Sequence, residues 1–350
     1  MQGLHCAGFE LVKWMQEYFA NYEVWLFGLS HVADPRNAFL LLFPICFAIN
    51  KGLGLQVLWT SAVNEWLNMV LKWIFRDDRP YWWTEAESCN LGYSNINLRQ
   101  YKMTCETGPG FPSGHVMSTS SVGLLLALHL KERLKSPLLM TPIWFVYIVL
   151  VSAGGLSRVY VATHFPHQIL VGAIVGCSLS LCVRHAIAKY QQIMFGRLAA
   201  IAALLLLISG LAVYKILNVL GLDPSSTVKL ALKFCQEPSW IHLDTTPFFC
   251  LMRDTSVLLG VALSSVMIYH CFGNMTLYFE KKIPPLVTVA SIVVTCSLIV
   301  KIEGISIAQD NVHWFYVMAG IKLTNLPIFV VITNLIFQLL YDSILDKKNR

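Results

Sequence analysis

Nine runs of mostly apolar residues recur along this chain of 350 residues, at roughly 24–48, 55–75, 115–131, 138–156, 166–184, 199–219, 254–272, 284–302 and 314–341. Most approach the ~20 residues that an α-helix needs to cross a hydrocarbon layer. Inside a bilayer the backbone polar groups must be satisfied within the segment, so such runs fold as helices. The sequence therefore predicts an all-α, polytopic membrane protein of about nine transmembrane helices, with residues 1–350 forming a single integral membrane domain. Composition agrees, because only 13% of the residues are charged, against roughly 25% in a soluble domain. The start of the chain lacks the pattern of a cleavable signal peptide.

The net charge of +6 does not point to nucleic acid, since the basic residues lie in short separate clusters. Lys131, Arg133 and Lys135, then Arg184, Lys189 and Arg197, then Lys281 and Lys282, and finally Lys347, Lys348 and Arg350 occupy alternate loops. The positive-inside rule makes that side cytoplasmic. Nine spans then place the N-terminus on the opposite, lumenal side, with 340–350 as a cytoplasmic tail. The loops around 76–114, 157–165 and 220–253 share the lumenal side. The ten cysteines show no metal-ligand spacing, so neither a metal nor a cofactor is expected. Cys177, Cys182 and Cys296 fall in apolar runs as buried thiols, whereas Cys89 and Cys105 could pair on the oxidising side.

Three short stretches on that side carry chemistry. Lys72 and Arg79 lie seven residues apart, about two turns, and share a face if the helix persists to Arg79. Ser113 and Gly114 open a helix at the edge of an apolar run, where free N–H groups and the dipole favour an anion, and His115 follows at once. Arg158 offers a planar fork for a phosphate, and His164 stands six residues later. Each stretch alone has an ordinary reading: snorkelling cations, a serine N-cap, a hydrogen-bonded structural histidine. His167 falls under the last of these. Together they supply a cationic cradle, a nucleophile and an acid, which phosphoryl transfer without a metal requires.

The three stretches, K-x6-R-P, P-S-G-H and S-R-x5-H, resemble the signature shared by type 2 phosphatidic acid phosphatases and vanadium haloperoxidases. Longer strings are similar to the glucose-6-phosphatase catalytic subunit family: ADPRNAF (33–39), EWLN (65–68), RPYWW (79–83), CETGPG (105–110), HFPHQ (164–168) and WIHLDTTPF (240–248). The resemblance implies a glucose-6-phosphate phosphohydrolase working through a phosphohistidine. His164 would be the nucleophile and His115 the general acid and then base. Lys72, Arg79, Ser113, Gly114 and Arg158 would hold the phosphoryl oxygens. It further implies a multi-pass protein of the endoplasmic reticulum membrane with its site toward the lumen, with membrane lipid around it and a glucose-6-phosphate transporter as functional partner. The C-terminal Lys347-Lys348-Asn349-Arg350 resembles a dilysine retrieval signal. A lipid phosphate phosphatase of the same superfamily, and an inactive membrane partner or transporter, are the rival readings.

The chain also departs from the pattern. The superfamily usually places Asp four residues after the nucleophilic His, and here Gln168 stands there, as in the glucose-6-phosphatases. Arg76-Asp77-Asp78 replaces a more apolar, glycine-containing segment, and two carboxylates there could weaken phosphate binding or pair with Arg76. Phe111 occupies a position where Ser is expected. Asp34 is a candidate partner for His115, with an Asp34–Arg36 pair equally open. Trp240, His242, Asp244 and Thr245 are candidates for closing the pocket or binding sugar, with a packed loop scaffold as the alternative. The sequon at Asn274 falls on the cytoplasmic side and is expected to be unused.

Overall fold

A computed structural model of the chain describes residues 2–83, 98–134, 136–273, 275–281, 283–305 and 312–348. The helices are α1 (Gln2–Tyr18), α2 (Glu23–Val32), α3 (Phe43–Ile49), α4 (Lys51–Phe75), α5 (Gly114–Leu134), α6 (Pro137–Tyr160) and α7 (Pro166–Phe195), then α8 (Arg197–Val219), α9 (Ser226–Phe234), α10 (Pro247–Phe272), α11 (Met275–Glu280), α12 (Pro285–Glu303) and α13 (Val312–Lys348). Among the described residues extended pairing is limited to one isolated bridge, between Glu106 and His242.

Six helical segments are long and apolar enough to cross a membrane: Pro137–Tyr160, Pro166–Ile187, Arg197–Val219, Pro247–Cys271, Pro285–Glu303 and Trp314–Ile344. The other three expected spans have a different character. The run at 24–48 is interrupted at Ala33–Pro35, where α2 stops, and resumes through a π-helical turn, Ala38–Leu42, into α3. Helices α4 and α5 are long enough to span, but their inward faces are polar. Thr60, Ser61, Asn64, Glu65 and Asn68 are buried on α4, and Ser118, Ser120 and Ser121 on α5. A polar inner face lowers mean hydropathy without shortening the helix.

The backbone groups into two compact units. The first comprises residues 1–35, 64–181 and 210–250, and holds every residue singled out for chemistry. Its aromatic core joins Phe9, Val12 and Met15 of α1 to Trp82, Tyr160 and Phe165. Helix α7 approaches α5 closely through two glycines. A Cβ on Gly172 would lie 2.8 Å from the Ser113 carbonyl, and one on Gly176 2.3 Å from that of Met117. This small-xxx-small spacing is how helices in lipid bring their backbones together. The second unit comprises 36–63, 182–209 and 251–350, in which α3, α12 and α13 pack on one another.

Candidate active site

Helix α4 ends at Phe75, so Lys72 and Arg79 do not share a helical face as the sequence suggested. Arg76 takes a left-handed conformation (φ 51°), its N–H bonded to the Lys72 carbonyl. The chain then leaves the helix and turns back, which carries Arg79 into the interior. The Arg79 guanidinium is spent on fixed acceptors. Its Nε donates to the Gly108 carbonyl (2.6 Å), Nη1 to that of Thr163 (3.1 Å), and Nη2 to that of Pro109 (3.1 Å) and to Glu106 Oε2 (2.9 Å). Lys72 reaches the same place: its Nζ lies 3.9 Å from the point where a Gly108 Cβ would sit.

Glu106 is the acidic centre of the cradle. Besides Arg79 it pairs with Arg158 Nη2, and its Oε1 lies 3.8 Å from His115 Nδ1. Burial works against its charge, but Arg79 and Arg158 outweigh burial and hold the carboxyl well below the usual range. Arg158 also donates to Ser30 Oγ (2.7 Å). Neither Glu106 nor Ser30 belongs to the three stretches, although Glu106 sits inside CETGPG as a lone acid in a glycine- and proline-rich segment.

His164 is fully enclosed, and its tautomer follows from its neighbours. Nδ1 lies 2.8 Å from the Gly110 carbonyl, an acceptor only, and 3.2 Å from Gln168 Oε1. Nδ1 therefore carries the hydrogen and the lone pair is on Nε2, 3.3 Å from Arg79 Nη1. Burial, and Arg79 after it, push the imidazole well below its ordinary pKa, so the ring is neutral at pH 7. Gly110 is required by proximity: a Cβ there would lie 2.5 Å from the Asp78 carbonyl and 2.6 Å from Gln168 Nε2.

Ser113 and Gly114 stand at the start of α5 as expected. The Ser113 N–H donates to the Gln168 carbonyl (3.0 Å), while its buried Oγ has no hydrogen-bond partner among the described residues. Asn68 of α4 clamps this turn by donating to the Pro112 carbonyl (3.1 Å). Asp34 is near enough for its charge to be felt at His115 and Arg158.

Residues 240–246 fold against 105–108. The His242 N–H donates to the Cys105 carbonyl (3.1 Å), and the Thr107 N–H to Thr245 Oγ1 (3.0 Å). His242 Nε2 donates to the Lys102 carbonyl (2.6 Å), and its Nδ1 faces Asp244 at 3.7 Å, which raises its pKa. His242, Asp244 and Thr245 thus form a scaffold behind Glu106. Cys105 is bonded to Cys235, not to Cys89, which lies outside the described residues along with Lys135, Asn274 and Lys282.

The unusual carboxylates do not face the cradle and do not pair with Arg76. Arg76 reaches the Asp223 carbonyl (3.3 Å) and Ser226 (3.2 Å). Asp78 accepts from Trp82 Nε1 (2.9 Å). Asp77 accepts from His5, His167 and Gln168. Phe111 packs on the ring of Phe75 at 4.8 Å. Among the described residues His5, Asp77 and His167 form the one group whose ligand atoms, all within 4.8 Å of one another, could hold a metal ion.

The model of the PAP2 superfamily matches residues 53–192, which contain Lys72, Arg79, Ser113, His115, Arg158 and His164. Glucose-6-phosphatase 2 of Homo sapiens is 33% identical, with 95% of each chain covered. Glucose-6-phosphatase catalytic subunit 1 of Felis catus is 32% identical over 94% of this chain and 93% of its own. Glucose-6-phosphatase 3 of Mus musculus is 33% identical over 95% and 94%. No solved structure matches.

Proposed function

Because this chain belongs to the glucose-6-phosphatase family of the PAP2 superfamily, we propose that it hydrolyses glucose-6-phosphate at the cradle around His164. The observation that carries the reading is the His164 ring: neutral, enclosed, hydrogen on Nδ1, lone pair on Nε2 beside Arg79. A nucleophile so placed is aligned before substrate arrives.

In the first step Nε2 attacks phosphorus, and the bond from phosphorus to the sugar oxygen breaks. His115 gives its proton to the departing oxygen, and glucose leaves. In the second step His115 takes a proton from water, whose oxygen attacks the phosphohistidine and releases inorganic phosphate. Lys72, Arg158, the Ser113 hydroxyl and the Gly114 N–H stabilise the charge on the phosphoryl oxygens, and Arg79, whose N–H groups face protein acceptors, adds its positive charge. The unpartnered Ser113 Oγ supports its place in this set. Asp34 acts on His115 through charge, and Gln168 orients His164. His242 and Asp244 support the wall that carries Glu106.

The protein works as one integral membrane phosphatase in the endoplasmic reticulum, with nine spans, a lumenal N-terminus and a cytoplasmic C-terminus. The Cys105–Cys235 disulfide supports the lumenal side, because it joins two loops assigned there and needs an oxidising compartment. The six strongly apolar helices support the membrane location. Substrate then requires a transporter to reach the site.

The test compares wild type with His164→Ala in detergent-opened membranes, offering glucose-6-phosphate and a lysophosphatidic acid labelled with ³²P. The reading expects glucose-6-phosphate hydrolysis and acid-labile labelling of the wild-type protein, both lost in the variant. Hydrolysis of the lipid alone would move the protein to a lipid phosphatase.

A further inference from the structure

We propose that Asp77 is a positioning residue for the reaction: its carboxylate orients the Gln168 amide, which in turn holds His164 in its nucleophilic tautomer and passes negative charge toward the ring. This rests on the phosphatase reading above and names a residue that reading does not use.

The orientation of the amide is determined by its four neighbours. Gln168 Nε2 lies 2.8 Å from Asp77 Oδ2 and 2.7 Å from the Asp78 carbonyl, and both can only accept. Its Oε1 lies 3.1 Å from the Phe165 N–H, which can only donate, and 3.2 Å from His164 Nδ1. A flipped amide would set NH2 against N–H on one side and oxygen against oxygen on the other. Nδ1 must therefore be the donor, which leaves Nε2 free to attack.

Asp77 is itself held in place. His5 Nε2 donates to Oδ1 at 2.9 Å, and His167 Nε2 to Oδ2 at 3.0 Å. The chain beside it is fixed as well, since the Asp77 carbonyl accepts from the Gly110 N–H (2.8 Å), and the Gly110 carbonyl is the other acceptor for His164 Nδ1. When Nε2 forms its bond to phosphorus, Nδ1 keeps its hydrogen and the ring becomes cationic. Gln168 has no charge to offset this. Asp77, one hydrogen bond further out, supplies it through the polarised amide.

The test is an exchange of acid and amide. Asp77→Asn, which keeps the shape and removes the charge, is expected to lower kcat for glucose-6-phosphate about tenfold or more, the scale of outer-shell partners, with KM little changed. Gln168→Glu alone sets two carboxylates against each other and is expected to be worse. The double variant Asp77→Asn/Gln168→Glu restores one carboxylate and one amide side by side, with the charge directly on Nδ1, although the introduced carboxylate still faces the Asp78 carbonyl to which the amide donated. It is expected to recover activity above Gln168→Glu alone, which carries the same contact. His167 can follow the exchange by switching tautomer, because its Nδ1 has no partner among the described residues. Single variants as active as wild type, or a double variant no better than the worse single one, would overturn the proposal, with the nucleophile still established by His164→Ala. Were wild type itself inactive on every substrate, the phosphatase reading would fail. The ¹⁵N shifts of labelled His164 would then decide separately: the Gly110 carbonyl keeps the hydrogen on Nδ1, and Asp77→Asn is expected to shift the Nδ1–H resonance through a weakened Gln168 contact, whereas an unchanged resonance would overturn the positioning role. Activity lost to a chelator and restored by Zn²⁺ would make the His5–Asp77–His167 group a metal site and overturn the positioning role.

Discussion

Glu106 decides how a site with three cations can exist without a ligand. It faces both guanidiniums and His115, so the cradle is closer to neutral than its lysine and arginines suggest. Removing one partner of a buried ion pair leaves the other uncompensated, at a cost of about 3–5 kcal/mol. Glu106→Gln should therefore lower the melting temperature well beyond the effect of an exposed Glu→Gln change, which differential scanning fluorimetry in detergent will show. The pH dependence has a definite sign. Glu106 and Asp77 are both held below their ordinary values, so their stabilising effect is complete above about pH 4–5 and declines as pH falls through the carboxylate range. Melting temperature should drop between pH 5 and 3, less steeply in Asp77→Asn. The cradle and both histidines were legible in the sequence because each stands in a short string whose chemistry is recognisable. Glu106, Ser30 and the links around Asp77 were not, because each acts through a residue distant in the chain: Glu106 is separated from Arg158 by 52 positions and Asp77 from Gln168 by 91.

At the level of helices, position depends on what the side chains leave out. Gly172 and Gly176 carry no chemistry, yet they let α7 lie against the backbone of the first turns of α5. Helix α7 follows the loop that carries His164, and His115 lies in the first turn of α5, so this contact holds the two histidine-bearing segments together. Gly176→Leu should part the helices and reduce kcat/KM at least tenfold with every site residue intact. Overpacking of this kind costs typically about 1–3 kcal/mol, and the accompanying loss of stability is checked by the same melting assay. The helical pattern was readable from apolar runs wherever a helix is apolar all round, as in α8 and α12. It was less readable in α4 and α5, whose buried faces carry polar side chains. The break at Ala33–Pro35 was hidden within an apolar run, where Pro35 removes a backbone donor and the chain turns.

Across the molecule, the unit that holds the candidate site is assembled from three separated segments of chain, 1–35, 64–181 and 210–250. The last is fastened by the Cys105–Cys235 disulfide and by the Glu106–His242 bridge. A disulfide closing a loop this long contributes about 2–5 kcal/mol. Cys235→Ser, or treatment with a permeant reductant, should lower both the melting temperature and the retained phosphatase activity after mild heating, each measured against untreated protein. The same fastening has a consequence for biosynthesis. A chain emerging from the ribosome holds every motif from Lys72 to Gln168 long before Cys235 is made, but Glu106 has nothing behind it until then. A product stopped by a nonsense codon near 230 would carry the whole signature and still lack the wall that keeps Glu106 between the two arginines. Possession of the motifs is therefore not possession of the site, and the enzyme becomes competent only late in its own synthesis.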